Sequence, residues 1–339
     1  MEEETDRKRQ QALQAEAAPP LTFGIYAGSG GTEMERRFND DPARIEEALD
    51  RLQGNSQLFV VRGYQWYIGA GKTDCLTPVA IERYANDRRK LDFVLCFRDP
   101  AGNVEGWLQV IRETIQKYGS ALASIQIAEE PNNPNPEMGG DGTFPNIYEA
   151  IIQGVIATKA AARHYGYTIA VGFNATPSFA PTDNFWPHLG TLVTPAFLNA
   201  LDYVGLDFFP DVFRPLAPDG EPDDLRASVT AVLKHFREIN LATGHIPASV
   251  PIHIGENGWP TGPGRSYERQ AAVLKTIVRT IYEQRKSLNI THYMHHGLRD
   301  ADSNNPNLFY QFGLMRDDYT PKPAFETYRQ LTAELGTPD

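Results

Sequence analysis

The sequence contains few cysteines, which limits what can hold the fold together. Among 339 residues there are two, Cys75 and Cys96, whereas disulfide-stapled scaffolds are rich in cysteine. The pair also lacks the Cys-x-x-Cys spacing of many zinc and redox sites. The sequence therefore predicts two free thiols, and a hydrophobic core must stabilise the fold.

Long apolar runs are missing as well. No stretch of 18 apolar residues occurs, although a membrane-spanning helix needs about 20. Residues 1–20 also lack the basic start, apolar centre and small-residue cleavage site of a secretory signal. We predict that 1–20 is a disordered or loosely helical tail and that the protein is cytoplasmic, or secreted if an export signal was removed from the chain.

The chain has fewer basic than acidic residues. The chain has 32 Lys and Arg against 43 Asp and Glu, for a net charge of −11. This charge repels phosphate backbones and anionic lipids, and no concentrated basic patch offsets it. The composition therefore predicts no nucleic-acid partner and no membrane partner, fits a neutral small substrate better, and leaves the oligomeric state open.

Short apolar runs rich in β-branched and aromatic residues alternate with longer segments of helical periodicity. This alternation is typical of β-α units around a parallel sheet, and eight such units form a barrel of about 250 residues or more. We predict an α/β fold, a (β/α)8 TIM barrel, as one domain at 21–335 with a short tail at 336–339. The predicted strands are Leu21 to Tyr26, Gln57 to Tyr64, Leu91 to Phe97, Ala123 to Ala128, Thr168 to Phe173, Tyr203 to Phe208, Pro251 to Gly255 and Thr291 to His295.

The loops divide into two kinds. A helix-to-strand turn such as Tyr165 to Tyr167 is short, whereas several segments after strands are long and rich in Pro, Gly and Asn. Active sites of such barrels form at the carboxyl ends of the strands. We therefore expect functional residues in the long segments 131–146, 174–196, 209–222 and 297–312.

Two predicted strands lead directly into glutamates. The fourth reaches Glu129 and Glu130, followed by a proline, and the seventh reaches Glu256, followed by Asn-Gly-Trp-Pro. Cleavage of a glycosidic bond uses one carboxyl group to protonate the leaving oxygen and a second to stabilise or capture the anomeric carbon. Glu130 and Glu256 are therefore the candidate catalytic pair.

With these motifs the sequence resembles the clan A glycoside hydrolases, the four/seven barrels that include β-glucosidases, β-1,3-glucanases and β-galactanases. The resemblance extends over nearly all of 21–335. It implies that Glu130, before its proline, is the general acid/base, and that Glu256 is the nucleophile of a retaining enzyme. It also implies that Arg62, at the end of strand two, lies beside Glu256 and favours its ionised form.

The sequence departs from the clan pattern at Glu129, where the clan has an asparagine that hydrogen-bonds the 2-hydroxyl of the sugar. An ionised carboxylate accepts hydrogen bonds but cannot donate them. Three interpretations stay open: the sugar carries a different substituent there, Glu129 binds a cationic amino-sugar, or strand alternation turns Glu129 away to pair with a base. If Glu129 and Glu130 both enter the site, their repulsion raises the pKa of one, which suits a general acid.

Two more departures concern strands six and eight. Phe209 stands where the clan has a tyrosine that hydrogen-bonds the nucleophile, and Tyr26 or Tyr64 is predicted to supply the phenol oxygen instead. On strand eight a Tyr-Met-His-His run replaces the clan's tryptophan floor, and His295 is predicted to contact the substrate. A weaker stacking surface for the sugar follows.

Aromatic and acidic residues near the strand ends allow a functional and a structural interpretation. Trp66, Trp186 and Trp259 are predicted either to stack on a sugar from loops at the barrel mouth or to be packed structurally, whereas Trp107 in a helical segment is predicted to be core. Asp207 is predicted to orient substrate hydroxyls or simply to cap a turn.

Histidines cluster near the last strand. His292, His295 and His296, with Asp300 and Asp302, have side chains of the metal-ligand type, but they equally serve as hydrogen-bonded lining of a cleft. We predict no metal and no cofactor.

The residues and the resemblance together predict a retaining glycosidase. Its partner is a carbohydrate or small glycoside, and it acts by double displacement through Glu130 and Glu256. The alternative is an altered or inactive clan A-like barrel that binds a sugar or acts on a glycosylated metabolite, including by transglycosylation, because the substitutions fall where the clan holds its sugar.

Overall fold

A computed structural model describes residues 19–30, 39–213 and 222–336. Residues 1–18 and 337–339, which make up most of the two predicted tails, lie outside this described part of the chain. Within it, Cys75 and Cys96 are both free thiols, as predicted.

Eight parallel strands in the described residues form a closed barrel. They are β1 Thr22–Tyr26, β2 Phe59–Gly69, β3 Arg89–Phe97, β4 Leu122–Ile127, β5 Ala170–Ala175, β6 Tyr203–Asp207, β7 Ile252–Asn257 and β8 Ile290–His295. Each strand pairs with its neighbours along the chain, and β1 pairs with both β2 and β8, which closes the sheet on itself. The predicted TIM barrel is confirmed.

Every predicted run overlaps one observed strand. The largest difference is at β2, whose predicted run ended at Tyr64, whereas the strand continues to Gly69 and turns back through Lys72–Thr77 in an antiparallel pair. The returning strand lies at the edge of the sheet and is polar, so it contains no apolar run that sequence patterning could detect. A two-stranded parallel pair, Ser29–Gly30 with Arg299–Asp300, lies outside the barrel.

The helices in the described residues surround the strands. They are α1 Pro42–Gln53, α2 Val104–Tyr118, α3 Ile147–Tyr165, α4 Phe185–Leu192, α5 Pro195–Ala200, α6 Pro222–His235, α7 Tyr267–Leu288 and α8 Pro323–Leu335. Short 3-10 turns occur at Ile81–Tyr84, Gly119–Ala121, Pro136–Met138 and Leu308–Tyr310, and α6 continues into a π-helical turn at Phe236–Leu241. None of the helices in the described part is long and apolar enough to cross a membrane.

Local capping explains where several helices begin. Asp41 accepts hydrogen bonds from the backbone amides of Ala43 and Arg44 at the start of α1, and Ser266 accepts from that of Arg269 at the start of α7. These contacts satisfy amides that the first helical turn leaves free. Asn146 directly precedes α3, but its side chain donates to the carbonyl of Gly102 rather than capping the helix.

The apolar core lies between the barrel and the helices. Trp107 is fully buried there, and its Nε1 donates to the carbonyl of Ala150 at 3.1 Å, which confirms the predicted core role. Trp186, which was predicted to lie in a mouth loop, is buried in α4 with its ring 5.2 Å from Phe185 and 5.7 Å from Phe236. The loop placement was wrong because a short helix interrupts the long segment after β5.

Three rings stack inside the barrel near the amino-terminal ends of its strands. His253 lies 3.8 Å from Tyr203 and 3.7 Å from His292, measured between ring centroids. These residues come from the beginnings of β6, β7 and β8.

Candidate active site

Two side chains on β2 contribute to the site. Arg62 and Tyr64 are two residues apart and therefore point to the same face of the strand. Arg62 donates from Nε to Tyr64 Oη at 2.8 Å, from Nη2 to Gln126 Oε1 at 2.6 Å, and from Nη1 to the carboxylate of Asp92. Arg62 is almost completely buried, so these neighbouring side chains, rather than solvent, surround its charge.

Glu256 faces the interior because β7 is irregular at that point. His253 points inward, and simple alternation would also direct Gly255 inward and Glu256 outward. The register between β7 and β6 shifts between the Leu206 and Asp207 pairs, and the register between β7 and β8 shifts in the same region. Such a bulge adds one residue and redirects the side chain that follows.

Gly255 is required for this arrangement. A Cβ atom at residue 255 would lie 2.5 Å from Asp207 Oδ1 and 3.4 Å from Arg62 Nη2. Because a methyl group cannot approach a carboxylate oxygen so closely, glycine allows β6 and β7 to bring Asp207 and Glu256 together as register partners.

Two neighbours hold Glu256 in its ionised form. Tyr64 Oη donates to Glu256 Oε1, and His296 Nδ1 lies 3.2 Å from Glu256 Oε2. Burial alone would raise the pKa of Glu256, but His296, Arg62 and the hydrogen bond from Tyr64 outweigh burial and lower that pKa to about 2. Tyr64 can donate because burial, with a further contribution from the charge of Glu256, raises its own pKa well above the usual value.

We expect Tyr64→Phe to raise the pKa of Glu256, because the substitution removes one donor to the carboxylate and leaves the ring in place. Carboxyl ¹³C chemical shifts followed by NMR through a pH titration measure this directly. Tyr67→Phe is a matched control, since the Tyr67 hydroxyl donates to the backbone of Asn103 instead. A pKa unchanged by Tyr64→Phe would show that the contact does not stabilise the charge.

Glu129 and Glu130 both turn into the barrel although they are consecutive. The backbone makes this possible because Ala128 and Glu130 adopt positive φ angles of 66° and 38°, which break the alternation of β4. Non-glycine residues in this region carry strain of about 1 to 3 kcal/mol and occur often at functional sites. The hydrogen bond from the amide of Glu130 to Asn174 Oδ1 at 2.7 Å helps hold the turn.

The contacts of Glu129 decide among the interpretations left open by the sequence. Its Oε2 accepts from Gln126 Nε2 at 2.6 Å and lies 3.9 Å from Arg62 Nη2, and its Oε1 lies 3.4 Å from Asn174 Nδ2. All of these partners lie inside the barrel. Glu129 therefore does not face the helix layer, and the interpretation that strand alternation turns it away was wrong.

Asp207 joins the acids of β4 to Glu256. Asn174 bridges them, since its Oδ1 accepts from the amide of Glu130 and its Nδ2 donates to Asp207 Oδ2 at 2.5 Å. Asn133 Nδ2 donates to Glu130 Oε2 at 2.7 Å from the loop after β4. Glu130, Asp207 and Glu256 thus lie in one buried group of acids at the carboxyl ends of β4, β6 and β7.

The acids in this group have opposite protonation tendencies. Burial, followed by the charges of Asp207 and Glu256, raises the pKa of Glu130 well above its usual value. Burial and the charge of Glu256 likewise raise the pKa of Glu129 well above normal and that of Asp207 to about 7. Glu256 therefore favours its ionised form, whereas Glu130 favours its protonated form.

Other predicted site residues lie at the edge of this group. The Tyr26 ring stacks on His296 at 5.5 Å and meets Tyr64 edge-on at 5.0 Å, while its hydroxyl bonds Thr77. Trp66 is half-buried on β2 rather than in a loop, with the Arg98 guanidinium 4.3 Å above its ring.

Two predictions of substrate contact need correction. Trp259 is buried in the core, where its Nε1 donates to Asp211 and the Arg265 guanidinium covers its ring at 4.3 Å, so it offers no free face for a sugar. His295 packs against Tyr328 of α8 at 5.7 Å, outside the barrel wall. The next residue, His296, is the histidine that contacts Glu256.

Three contributors were not assigned by the sequence. Gln126 and Asn174 hold Glu129, Glu130 and Asp207 in position, and His296 contacts the nucleophile candidate. Asn174 had a usable signal, because a polar residue near the carboxyl end of a buried barrel strand is a candidate site residue. Gln126 had the same signal, whereas His296 had none, since the turn after β8 decides which way its side chain points.

Three of these acids could hold a cation. Carboxylate oxygens of Glu129, Glu130 and Asp207 lie within 4.8 Å of one another. The histidine set considered in the sequence does not assemble, since His292 points into the barrel stack and His295 points outward. The absence of a metal stays a prediction.

Comparison with known proteins supports the fold. No protein-family model and no curated protein sequence matches the chain. Among solved structures it is similar to a β-D-glucuronidase of Dictyoglomus thermophilum, with a TM-score of 0.56 and 13% identity over 94% of this chain, which spans only 51% of that protein.

Two other similar structures are closer in length. One is a GH5_18 protein of Streptomyces cattleya in complex with GlcNAc, with a TM-score of 0.60 and 13% identity over 95% of this chain and 83% of the other. The second is a β-1,3-glucanosyltransferase of Rhizomucor miehei, an active-site mutant in complex with laminaritriose. Its TM-score is 0.54, with 11% identity over 89% of this chain and 96% of the other. At these identities the likeness establishes the fold and agrees with the clan A resemblance: the chain is a TIM barrel whose structural neighbours include glycoside hydrolases.

Proposed function

We propose that the protein is a retaining glycoside hydrolase that cleaves a β-glycosidic bond, with Glu256 as nucleophile and Glu130 as general acid/base. One observation carries the proposal. Glutamates from β4 and β7 lie in one buried group of acids, where the pKa of Glu256 is lowered and the pKa of Glu130 is raised. A nucleophile must be ionised and an acid must hold its proton, and this pocket favours both.

The first half of the reaction forms a glycosyl-enzyme. Glu256 attacks the anomeric carbon while Glu130 transfers its proton to the departing oxygen, so the glycosidic bond breaks and an ester to Glu256 forms. As negative charge leaves Glu256, the hydrogen bond from Tyr64 loses part of its electrostatic contribution. Tyr64 and His296 therefore set how readily Glu256 gives up its charge.

The second half releases the sugar. Glu130 is now a carboxylate and removes a proton from water, which attacks the anomeric carbon and regenerates Glu256. Asn133 and Asn174 hold Glu130 through its carboxylate and its amide, so the same group serves in both steps without moving. The substrate in this proposal is a carbohydrate or small glycoside, and neither a cofactor nor a nucleic acid takes part.

One observation favours a second candidate, an altered barrel that binds a sugar without hydrolysing it or transfers the sugar to another acceptor. Glu129 lies inside the site, where clan A enzymes carry a neutral asparagine, and an additional acid changes both sugar binding and the proton balance. Analysis of products in the presence of sugar acceptors separates transfer from hydrolysis, because only transfer lengthens or decorates the acceptor.

Stereochemistry tests the proposed reaction. We expect aryl β-glycosides incubated with the protein to release a sugar that is first the β-anomer, since two displacements restore the configuration. ¹H NMR spectra recorded before mutarotation identify the anomer. Initial release of the α-anomer contradicts a double displacement, and the absence of release from every glycoside, together with measurable sugar binding, favours the binding protein.

A further inference from the structure

Four phenylalanine side chains lie side by side beyond the ends of two strands. Phe209 and Phe213 follow β6, and Phe309 and Phe312 follow β8. The ring centroids are 5.9 Å apart for Phe209 and Phe213, 5.9 Å for Phe213 and Phe309, 6.3 Å for Phe309 and Phe312, and 5.4 Å for Phe312 and Phe209. The four rings therefore form one closed group, which we call the phenylalanine cluster.

The phenylalanine cluster connects solvent to the candidate catalytic pair. Its outer ring, Phe213, is 56% exposed, Phe209 is partly exposed, and Phe312 is buried. The His296 ring lies 5.8 Å from that of Phe209 and 5.9 Å from that of Phe312. Since His296 Nδ1 is 3.2 Å from Glu256 Oε2, two ring contacts lead from the neighbour of Glu256 to the surface.

Hydrogen bonds fix the loops that carry the cluster. On the β6 side, Asp211 Oδ2 accepts from Trp259 Nε1 at 2.9 Å, and the carbonyl of Asp211 accepts from Arg265 Nη2 at 2.6 Å. On the β8 side, the carbonyl of Gln311 accepts from the amide of Thr261 at 3.0 Å. The rings are therefore held in position without a ligand, which lowers the entropic cost of binding one.

The chemistry of the cluster selects the part of a glycoside that it can bind. A phenyl ring carries no hydrogen-bonding atom, so a sugar unit placed there would lose contacts with water without replacement. An apolar group instead gains free energy on leaving water, and exposed apolar patches commonly mark binding sites for such groups. In a glycoside the aglycone is the part that can be apolar, and the leaving oxygen joins it to the anomeric carbon beside Glu256.

Phe209 supports the same conclusion. The clan A resemblance places a tyrosine at this position, where its hydroxyl would donate to the nucleophile. Here Tyr64 donates to Glu256 from β2 instead. Residue 209 therefore needs no polar atom, and its ring extends the apolar surface up to His296.

We propose that the phenylalanine cluster binds the aglycone of the substrate, and that this aglycone is an alkyl or aryl group rather than a second sugar. The inference rests on the proposed hydrolase function and adds the substrate class. Phe213 and Phe309 are specificity-determining residues in this scheme. They contact the leaving group and take no part in breaking the bond.

The test varies the apolar length of the leaving group at constant basicity. Methyl, butyl, hexyl and octyl β-glycosides release alcohols of nearly equal pKa, so the chemical step stays constant along the series. We would measure kcat/KM below the micelle-forming concentration, on the sugar that a panel of 4-nitrophenyl β-glycosides identifies as the best substrate. The value should rise about two- to fourfold for each methylene that the cluster buries. Cleavage that is independent of chain length, or slower for longer chains, overturns the inference while leaving the hydrolase function intact.

Variants of the outer rings separate aglycone binding from loop packing. Phe213→Ser and Phe309→Ser should each lower kcat/KM for the octyl glycoside about fivefold more than for the methyl glycoside, because several methylenes lose their apolar contact. Ile239→Ser is the matched control, since it removes an apolar side chain of similar exposure, 52%, from the π-helical turn after α6, and it should leave the dependence on chain length unchanged. Equal losses on the two glycosides would show that the rings only pack the loops.

A binding measurement remains decisive even if no glycoside is cleaved. Calorimetric titration of Glu256→Gln should show the octyl glycoside binding about tenfold tighter than the methyl glycoside, and adding Phe213→Ser to this variant should reduce the difference. This preference without any turnover by the wild type rejects the hydrolase proposal but supports the apolar site. Equal binding of the two glycosides overturns the apolar site.

Discussion

Replacing Glu256 with glutamine should reduce turnover of any aryl β-glycoside on the order of 10⁵-fold, the scale seen when a catalytic nucleophile is removed. Glutamine is nearly isosteric with glutamate and still accepts the hydrogen bond from Tyr64, but its amide oxygen is a poor nucleophile. Initial rates at saturating substrate measure the effect on kcat, with circular dichroism to verify folding.

Two companions make this result specific. Glu268→Gln changes an exposed glutamate in the first turn of α7 and should leave the rate unaltered. In Glu256→Ala, added azide can occupy the space of the missing carboxylate and should yield a glycosyl azide of inverted configuration. Normal turnover by Glu256→Gln, or no azide product from an otherwise folded Glu256→Ala, would remove Glu256 from the nucleophile role.

Replacing Glu130 with glutamine should lower kcat about 10²- to 10⁴-fold, the contribution of a well-placed general acid. The loss should depend on the leaving group, because a dinitrophenolate departs without protonation whereas an alkoxide does not. In the wild type, activity requires Glu256 ionised and Glu130 protonated, so it falls as pH rises through the elevated pKa of Glu130. That alkaline fall in the glycosylation step should disappear in Glu130→Gln.

A series of aryl glycosides with leaving groups of increasing basicity measures this dependence. Asn133→Ala is an informative comparison, since it removes a donor to Glu130 but keeps the acid, and it should shift the alkaline fall to higher pH. A uniform loss across all leaving groups in Glu130→Gln would indicate that another residue is the acid, and Glu129 would be the first candidate.

The fold could be predicted because its determinants are local. Each barrel strand is buried on both faces and therefore reads as an apolar run, and Glu130 and Glu256 immediately follow two of those runs. Arg62 and Tyr64 were also accessible, since both point inward from a regular part of β2. The sequence thus identified the residues whose direction follows from alternation or from their place at a strand end.

The remaining residues depend on backbone irregularities that no apolar pattern reports. Positive φ angles at Ala128 and Glu130 turn Glu129 inward, and the bulge at Gly255 does the same for Glu256. The prediction for His295 failed because the turn after β8, not the strand itself, presents a histidine to Glu256. For Trp259 the packed alternative holds, but its place after a strand that ends in Glu256 did not reveal that Arg265 covers its ring.

The crowding of acids at the barrel mouth also bears on how firmly the protein stays folded. Folding raises the pKa values of Glu129, Glu130 and Asp207. Each of these groups therefore stabilises the native state fully below its unfolded pKa. This contribution is lost as pH rises toward the folded pKa, which is about 7 for Asp207. Glu256 acts in the opposite sense, since its contribution is lost as pH falls below about 4.5 toward 2. The native state should therefore resist urea best in mildly acidic solution. At neutral pH the protein is somewhat less stable than it could be, because the site places a protonated acid beside a charged one.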